Sequence, residues 1–456
     1  MFVREKQFYT TFFKLSAIMA AQNLLSYVVN LADNIMLGRY SENTLAAVAM
    51  VNQIHYLLQM ICIAGIGAGT LVMVSQYWGK GELDPIRRII ALAMKFAAVT
   101  GLIFFAICFC LPNQVISIFT NDAALRADGV DYMRIMCFTY LIFPMQSALV
   151  TSLRGVRIVV IGTVVSIVSL FVNITLNYML IFGNWGAPEM GITGAAIATL
   201  IARAVEFVIV LIYVRFVDKK LQLRLLNIFK PDAYYLKDFI KVAAPVMLSG
   251  VSWGIGMMLQ VVILGHISGG VVAANSISAT VYQVITVFAF GAASTTNVIM
   301  GNTIGEGKLD KVRPYSRTIQ MLYILSGIAT GIVLFAVRDL ILRIYVLEPD
   351  TYALTRIFIT HLTWIVVFAS YQYPAASGIV LGGGNTKYPV IVETLFIWLC
   401  VLPSSALSAF VWKLPPVITF LFLKSDQILK CIPNGIVVNR YKWVRILTRN
   451  EDGVKN

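Results

Sequence analysis

Long apolar segments recur along the whole chain and dominate what it can fold into. Twelve runs of about 20 residues or more are separated by shorter polar gaps, and this is the length that a helix needs to cross a membrane. Charged residues make up 13% of the composition, against roughly 25% in a soluble domain. A single buried core could not hold so many apolar runs. The sequence therefore predicts an all-α polytopic membrane protein with twelve transmembrane helices.

The predicted spans differ in how apolar they are. Their approximate limits are residues 15–37, 47–75, 89–111, 132–153, 158–182, 191–214, 240–265, 273–300, 318–337, 355–380, 388–411 and 415–437. The last span contains Lys424, Asp426 and Lys430, and Pro433 interrupts it. It is therefore the span that the composition supports least.

Basic residues lie mainly in the gaps and predict the topology. The net charge is +14, and 26 of the 36 Lys and Arg residues lie in gaps on the side of the membrane that holds the N-terminus, against 7 in the opposite gaps. By the positive-inside rule both termini should be cytoplasmic, and this charge needs no nucleic-acid partner. The six cysteines form no C-x-x-C pair and there are three histidines, which argues against a zinc or redox cofactor.

The chain contains an internal repeat of six spans. At an offset of 227 Lys14 aligns with Lys241 and Gly38 with Gly265, and at 226 the loop GKGELDPIR from Gly79 aligns with GEGKLDKVR. An even number of spans in each half makes the two halves parallel repeats. We therefore expect two pseudo-symmetric six-helix bundles: an N-terminal lobe over residues 1–220, a cytoplasmic linker over 221–238, and a C-terminal lobe over 239–456.

Asp33 is the one ionisable residue of the first span after Lys14. A carboxylate near the middle of a membrane helix costs about 2.5–3.5 kcal/mol on insertion scales, so it is expected to face a polar interior or bind a cation. Polar residues spaced three or four apart extend the same helical face, namely Gln22, Ser26, Asn30 and Asn34. In the fifth span, Asn173 and Asn177 lie one turn apart and face one direction. Carboxylate and amide oxygens are each ligands that small hard cations prefer, and a carboxylate can equally take up a proton.

Five motifs in order resemble the multidrug and toxic compound extrusion (MATE) family over nearly the whole length. They are DNIMLG at 33–38, VSQYWGKGELD at 74–84, NITLNYML at 173–180, GITGAAIAT at 191–199 and SGIVLGGGNTK at 377–387. The resemblance implies a bacterial inner-membrane transporter, and not an enzyme, that exports organic cations in exchange for Na⁺ or H⁺ by alternating access. It implies coupling at Asp33, Asn173 and Asn177, and it implicates Thr199 and the Gly191 backbone by a weaker match. It implies no cofactor besides the coupling ion, and we expect a monomer in the lipid bilayer.

Other polar and ionisable side chains allow more than one interpretation. Seven are candidates for the substrate cavity: Asn30, Asn34, His55, Gln59, Gln260, Tyr282 and Tyr371. His55 could instead be a hydrogen-bonded packing residue or a proton relay. Two neighbouring pairs, Arg203 with Glu206 and Lys424 with Asp426, favour structural ion pairs over a transport role. Glu393 near the start of the eleventh span could be interfacial or face the cavity.

The second half departs from the first at the position of the carboxylate. The repeat partner of Asp33 is Gln260, and the seventh and tenth spans lack the acids that some Na⁺-coupled members of the family carry. A cation site in the C-terminal lobe is therefore not expected. Neither glycine-rich loop has the Walker pattern, so ATP-driven transport is disfavoured. The alternative function is a flippase for a lipid-linked precursor, although few basic residues lie within the first-half spans to bind an anionic headgroup.

Overall fold

The protein is described by a computed structural model over residues 3–120, 122–223, 234–267, 269–343 and 348–449. Within these ranges the chain is organised in helices and forms no β-sheet. This is what a membrane requires, since a helix satisfies its own backbone hydrogen bonds where no water is available. The predicted all-α class is confirmed.

Six helical spans make up the first half. Their helices are Lys6–Tyr40, Glu42–Gln59, Ala68–Lys80, Leu83–Cys110, Ala123–Gly155, Val160–Phe182 and Gly191–Ile212. A π-helical segment, Met60–Gly67, joins the two helices of the second span, and another, Tyr213–Val217, extends the sixth. Short helices also occur at Pro112–Ser117 and Asn184–Gly186.

The second half is more irregular. Its α-helices are Leu236–Gly265, Gly269–Ile285, Val287–Gly305, Leu309–Leu342, Pro349–Pro374, Lys387–Leu395, Leu402–Ala406, Pro416–Leu423, Ser425–Leu429 and Cys431–Arg440. Segments of π-helix lie at Ala375–Val380, Phe396–Val401 and Leu407–Val411. Helices in the second half are therefore interrupted more often than those in the first.

Membrane-length helices account for eleven of the predicted spans. In the described part of the chain, ten helices are long and apolar enough to cross a membrane, and a pair bent by 44°, Gly270–Ile285 with Val287–Gly305, makes one more. The predicted twelfth span is instead three short helices. Its first break falls at Lys424, whose backbone leaves the helical conformation with φ −105° and ψ 3°.

The internal repeat is visible in the backbone. Gly81 and Gly307, which align in the repeat, both have positive φ, at 82° and 73°. Glycine adopts this conformation without the steric cost that a Cβ would add. The next helix starts two residues later in each half, at Leu83 and at Leu309. Both repeats therefore end one helix and begin the next by the same turn.

The chain divides into two compact units. The N-terminal unit consists of Ala21–Val74 and Glu82–Met247, and the C-terminal unit consists of Met1–Ala20, Ser75–Gly81 and Leu248–Asn456. The first helix thus contributes its beginning to one unit and its remainder to the other. Most of the predicted linker, residues 224–233, lies outside the described residues. The lobe boundaries at residues 220 and 239 remain a prediction.

Packing in the N-terminal unit brings the fifth and sixth spans close together. A Cβ on Gly194 would lie 2.7 Å from the carbonyl carbon of Leu180, so a larger residue there would push the two helices apart. An apolar core beside them is built from Val51, Met133, Tyr140 and their neighbours. This close contact fixes how the fifth span packs against the sixth.

The C-terminal unit has its own core and an ordered tail. Phe358 of the tenth span stacks on Phe420, with ring centroids 4.0 Å apart. Gln76 fixes the tail, because its Nε2 donates to the carbonyl oxygen of Arg445 at 3.0 Å and its Oε1 accepts from the backbone N–H of Leu447 at 2.7 Å. The segment after the last helix is therefore part of the folded unit.

Candidate functional site

Asp33 contacts both asparagines of the fifth span. Asn177 donates from Nδ2 to the Asp33 carboxylate at 2.5 Å and to the side-chain oxygen of Asn173 at 3.2 Å. Asn173 also hydrogen-bonds with the Asp33 carboxylate. Both amides are almost fully buried, at 1% and 0% exposure. The three residues that the sequence grouped together are thus neighbours in the N-terminal unit.

The side-chain oxygen of Asn177 is left without a partner in the described part of the chain. Both amide hydrogens point to Asp33 and Asn173, while the buried Oδ1 has no hydrogen-bond partner among the described residues. Leaving a buried acceptor unsatisfied costs about 1–3 kcal/mol, so such an atom is informative. An amide oxygen beside a carboxylate is a donor set that fits a hard cation.

Thr199 joins this group through a tyrosine. Tyr132 of the fourth span is buried, shares a hydrogen bond with the Thr199 side chain, and lies within Coulombic range of Asp33. No sequence pattern singles out Tyr132. A tyrosine near the end of an apolar span is also typical of an interfacial anchor, so its sequence alone carried no distinguishing signal.

The predicted pair of Arg203 and Glu206 is formed one turn beyond Thr199. The guanidinium Nη1 contacts the two carboxylate oxygens at 3.2 and 3.0 Å, and Glu206 is 5% exposed. The same guanidinium lies 5.5 Å from the ring centroid of Phe143 and within Coulombic range of Asp33. The pair is therefore near Asp33, but its charges are already matched.

His55 packs against aromatic rings. Its ring centroid is 6.0 Å from that of Tyr140 and 5.1 Å from that of Phe143. Its buried Nδ1 has no hydrogen-bond partner in the described part of the chain. The packing interpretation of His55 agrees with this arrangement, whereas the hydrogen bond expected with it is not found at Nδ1.

The polar stripe of the first span has mixed roles. Gln22 is buried and donates from Nε2 to the Val159 carbonyl oxygen at 2.7 Å, while Arg154 donates to its Oε1 at 2.6 Å. Asn30 and Asn34 are exposed instead. The stripe therefore does not point uniformly into the bundle. Steps of three or four residues do not match the helical period of 3.6 residues, so the stripe turns gradually around the helix axis.

The seven candidates for the substrate cavity fall into both units. Asn30, Asn34, His55 and Gln59 belong to the N-terminal unit, and Gln260, Tyr282 and Tyr371 belong to the C-terminal unit. Gln260 is buried, at 8% exposure. The other two have partners, since the hydroxyl of Tyr282 donates to Gln427 and that of Tyr371 donates to Gln320. The cavity remains a prediction.

The charged residues of the C-terminal unit pair differently from the expectation. Asp426 forms its ion pair with Lys430, at 2.9 Å, rather than with Lys424. Lys430 also reaches Glu393 at 2.9 Å, so Glu393 has an ion-pair partner in the unit. The spacing of four residues from Asp426 to Lys430 could have indicated the first contact. Within the described residues, no group of three or more His, Cys, Asp or Glu side chains could hold a metal ion.

Comparison with known proteins decides the family. The MatE family model matches two segments, residues 19–179 and 245–407, which together cover more than half of the chain and start 226 residues apart. The chain belongs to the MatE family. This spacing of the two MatE matches agrees with the offset of the internal repeat. The family is one of transporters rather than enzymes, and its members include multidrug efflux proteins.

Relatives of this MatE protein cover nearly its whole length. It is 25% identical to the "Probable multidrug resistance protein NorM" of Thermotoga maritima over 439 residues, 96% of this chain and 94% of the relative. It is 24% identical to the "Multidrug resistance protein MdtK" of Pectobacterium atrosepticum over 418 residues, 89% of each. A crystal structure of MATE in the straight conformation matches with a TM-score of 0.85 at 17% identity, covering 96% of this chain and 98% of that one. An outward-facing multidrug resistance MATE transporter matches equally well, with a TM-score of 0.85, 16% identity, and the same shares of the two chains covered.

Proposed function

We propose that the protein is a secondary active antiporter that exports organic cations in exchange for Na⁺ or H⁺. It would lie in the bacterial inner membrane as a monomer with both termini cytoplasmic. The names of the bacterial relatives support multidrug export. The basic residues in alternating gaps support the orientation. Asp33, Asn173, Asn177 and Thr199 would form the coupling site.

The observation that carries the proposal is the pairing of one carboxylate with an unsatisfied amide oxygen. Asp33 receives its hydrogen bond from the neutral amide of Asn177, whose buried Oδ1 has no partner among the described residues. A bound cation would compensate the carboxylate charge and coordinate the amide oxygen at the same time. Neither interaction requires a change in the charge of any other residue.

One carboxylate at this site implies one monovalent charge in each cycle. Asn177 is neutral, so the site can neutralise either one Na⁺ or one H⁺ at Asp33. Na⁺ would use the oxygen of Asn177 as well, whereas a proton would need only the carboxylate. Coupling then follows if the ion binds the two alternating states with different affinities, since a ligand shifts an equilibrium only by that difference.

The decisive experiment measures dye export with each gradient applied separately. Purified protein is reconstituted into liposomes that are loaded with ethidium, a fluorescent organic cation. Either a pH gradient or a Na⁺ gradient is then imposed across the liposome membrane. We expect one of the two gradients to drive ethidium transport, and the Asp33→Asn variant to lose this response while remaining folded. The amide is close in shape to the carboxylate but carries no charge.

Asp84→Asn is the matched control. It removes a carboxylate that is 67% exposed and pairs with Arg88 at 2.8 Å. Exposed pairs contribute little, so this variant should transport as the parent does. A parent protein that responds to neither gradient would refute coupled export. Normal gradient-driven export by Asp33→Asn would refute the assignment of Asp33.

A further inference from the structure

The C-terminal unit contains a second buried charge cluster, which the proposed coupling does not use. Lys430 is 1% exposed, and its ammonium lies 2.9 Å from Asp426 Oδ2 and 2.9 Å from Glu393 Oε1. One ammonium thus bridges two carboxylates that come from different helical segments. A charge so deeply buried requires close compensation, because it has lost its hydration.

Neutral side chains complete the shell of this cluster. Gln427 donates to Asp426 Oδ2 at 2.8 Å, and its own oxygen accepts from Gln372 at 2.8 Å and from the hydroxyl of Tyr282 at 3.2 Å. The ammonium of Lys424 lies 5.5 Å from the ring centroid of Tyr282. Asp426 is therefore held in place by a network rather than by Lys430 alone.

Irregular backbone surrounds the same residues. Three residues of the cluster each lie within one turn of an interruption of their helix. Tyr282 precedes the 44° bend before Val287. Gln372 precedes the π-helical segment Ala375–Val380, and Glu393 precedes the π-helical segment Phe396–Val401. The helical segment that carries Asp426 begins at a break in the backbone, at Lys424. Membrane transporters often build ion sites from interrupted helices, whose irregular backbone is tolerated where it is buried in protein or lines a water-filled cavity.

We propose that Glu393 and Asp426 form a monovalent-cation site that Lys430 keeps filled with its own ammonium group. The bridging position is where a small cation would contact oxygens of both carboxylates. Lys430 supplies that positive charge covalently, so no ion from solution is needed there. If the proposed coupling at Asp33 holds, the parent protein would then use one ion site rather than two; the site itself does not depend on that function.

The test is to remove the ammonium and ask whether Na⁺ replaces it. Lys430→Met keeps the length of the side chain and deletes the charge. All variants are made in the Asp33→Asn background, so that Na⁺ at the first site does not contribute. Thermal unfolding is followed for the detergent-purified protein at pH 8, with Na⁺ varied against N-methylglucamine at constant ionic strength.

We expect Na⁺ to stabilise Asp33→Asn/Lys430→Met selectively. Its Tm should rise by about 3 °C for each tenfold increase in Na⁺ once the site begins to fill. Asp33→Asn alone should show no such dependence. Adding Glu393→Gln should abolish the dependence, because one of the two carboxylates is then neutral. Lys424→Met is the matched control. It removes a nearby ammonium in the same span, but this ammonium does not bridge two carboxylates.

Lys430→Gln provides a second variant in case Lys430→Met is poorly folded. A folded variant of either kind whose Tm is independent of Na⁺ would overturn the proposal. Failure of both variants to fold even in 300 mM NaCl would do the same, because the proposal requires Na⁺ to substitute for the ammonium. Neither outcome bears on ethidium transport by the parent protein, so the two proposals fail independently.

Discussion

The two units compensate the carboxylates within their helices in opposite ways. Asp33 in the N-terminal unit is hydrogen-bonded by the neutral amide of Asn177, whereas Asp426 and Glu393 in the C-terminal unit share the ammonium of Lys430. A carboxylate that has only neutral donors keeps its charge available for a mobile ion. Asp426 and Glu393 share one ammonium, so part of their charge is already compensated within the chain. The comparison separates a site suited to ion exchange from one suited to holding helices together.

Arg203 does not remove this difference. It lies within Coulombic range of Asp33, but its guanidinium contacts both oxygens of Glu206 at 3.2 and 3.0 Å. The positive charge of Arg203 is therefore largely compensated by the carboxylate of Glu206. The N-terminal unit keeps the net charge of Asp33 to be compensated from elsewhere.

The largest effect is expected when the N-terminal site is given a lysine of its own. Asn173→Lys would place an ammonium one turn from Asn177, within reach of Asp33. We expect gradient-driven ethidium transport to fall by about 100-fold, because a tethered cation would have to be displaced from a buried carboxylate. The measurement is ethidium flux in liposomes under the gradient that drives the parent.

Asn173→Met is the control for size. It has a similar length but no charge, so it should retain more transport than Asn173→Lys. Thermal unfolding should show that Asn173→Lys is folded, since its new charge is paired. Transport by Asn173→Lys at the parental rate would show that a tethered cation does not compete with the coupling ion.

The second prediction compares how much stability each carboxylate contributes. Asp426→Asn leaves the buried Lys430 with Glu393 as its remaining partner and should destabilise the protein by about 2–4 kcal/mol. Asp33→Asn should change stability by less than about 1 kcal/mol, because its partners are neutral and its hydrogen bonds can be re-formed. Thermal unfolding in Na⁺-free buffer measures both.

We expect the two variants to have opposite effects on stability and on transport. Asp426→Asn should lose stability but still respond to the gradient when measured below its Tm, and Asp33→Asn should lose the response but not the stability. If Asp33→Asn were the less stable of the two, the N-terminal carboxylate would have a structural role that its neutral partners do not indicate.

Much of the N-terminal site could be predicted because its signals are local. Asn173 and Asn177 are four residues apart on one helix, so their shared direction follows from helical geometry. Asp33 is conspicuous because an acid within an apolar run is costly. The positions of eleven spans and of the repeated turn at Gly81 and Gly307 also follow from periodicity and spacing. These features need no knowledge of how distant segments pack, whereas the grouping of Asp33 with the two asparagines came from the resemblance to the MATE family.

The C-terminal cluster could not be predicted in the same way. Lys430 meets Glu393 across two spans, and no local pattern in the sequence links them. Lys424, Asp426 and Lys430 also prevent the last span from being a continuous apolar helix. Hydropathy shows that this span is less apolar, but it does not show which of the charges form ion pairs. Tyr132 was missed for the same reason, since its contact with Thr199 depends on the packing of the fourth span against the sixth.

The smallest predicted effect tests whether neutral donors around Asp33 set its affinity for the coupling ion. Tyr132→Phe removes the hydroxyl that hydrogen-bonds with Thr199 and leaves the ring in place. One hydrogen bond contributes about 1 kcal/mol, so the apparent affinity for the driving ion should change by about fivefold, with little effect on the maximal ethidium flux. Tyr140→Phe on the same helix is the control, because the buried Tyr140 hydroxyl has no hydrogen-bond partner among the described residues. Equal effects of the two variants would mean that Tyr132 acts through general packing, and the coupling site would then be limited to Asp33 and the two asparagines.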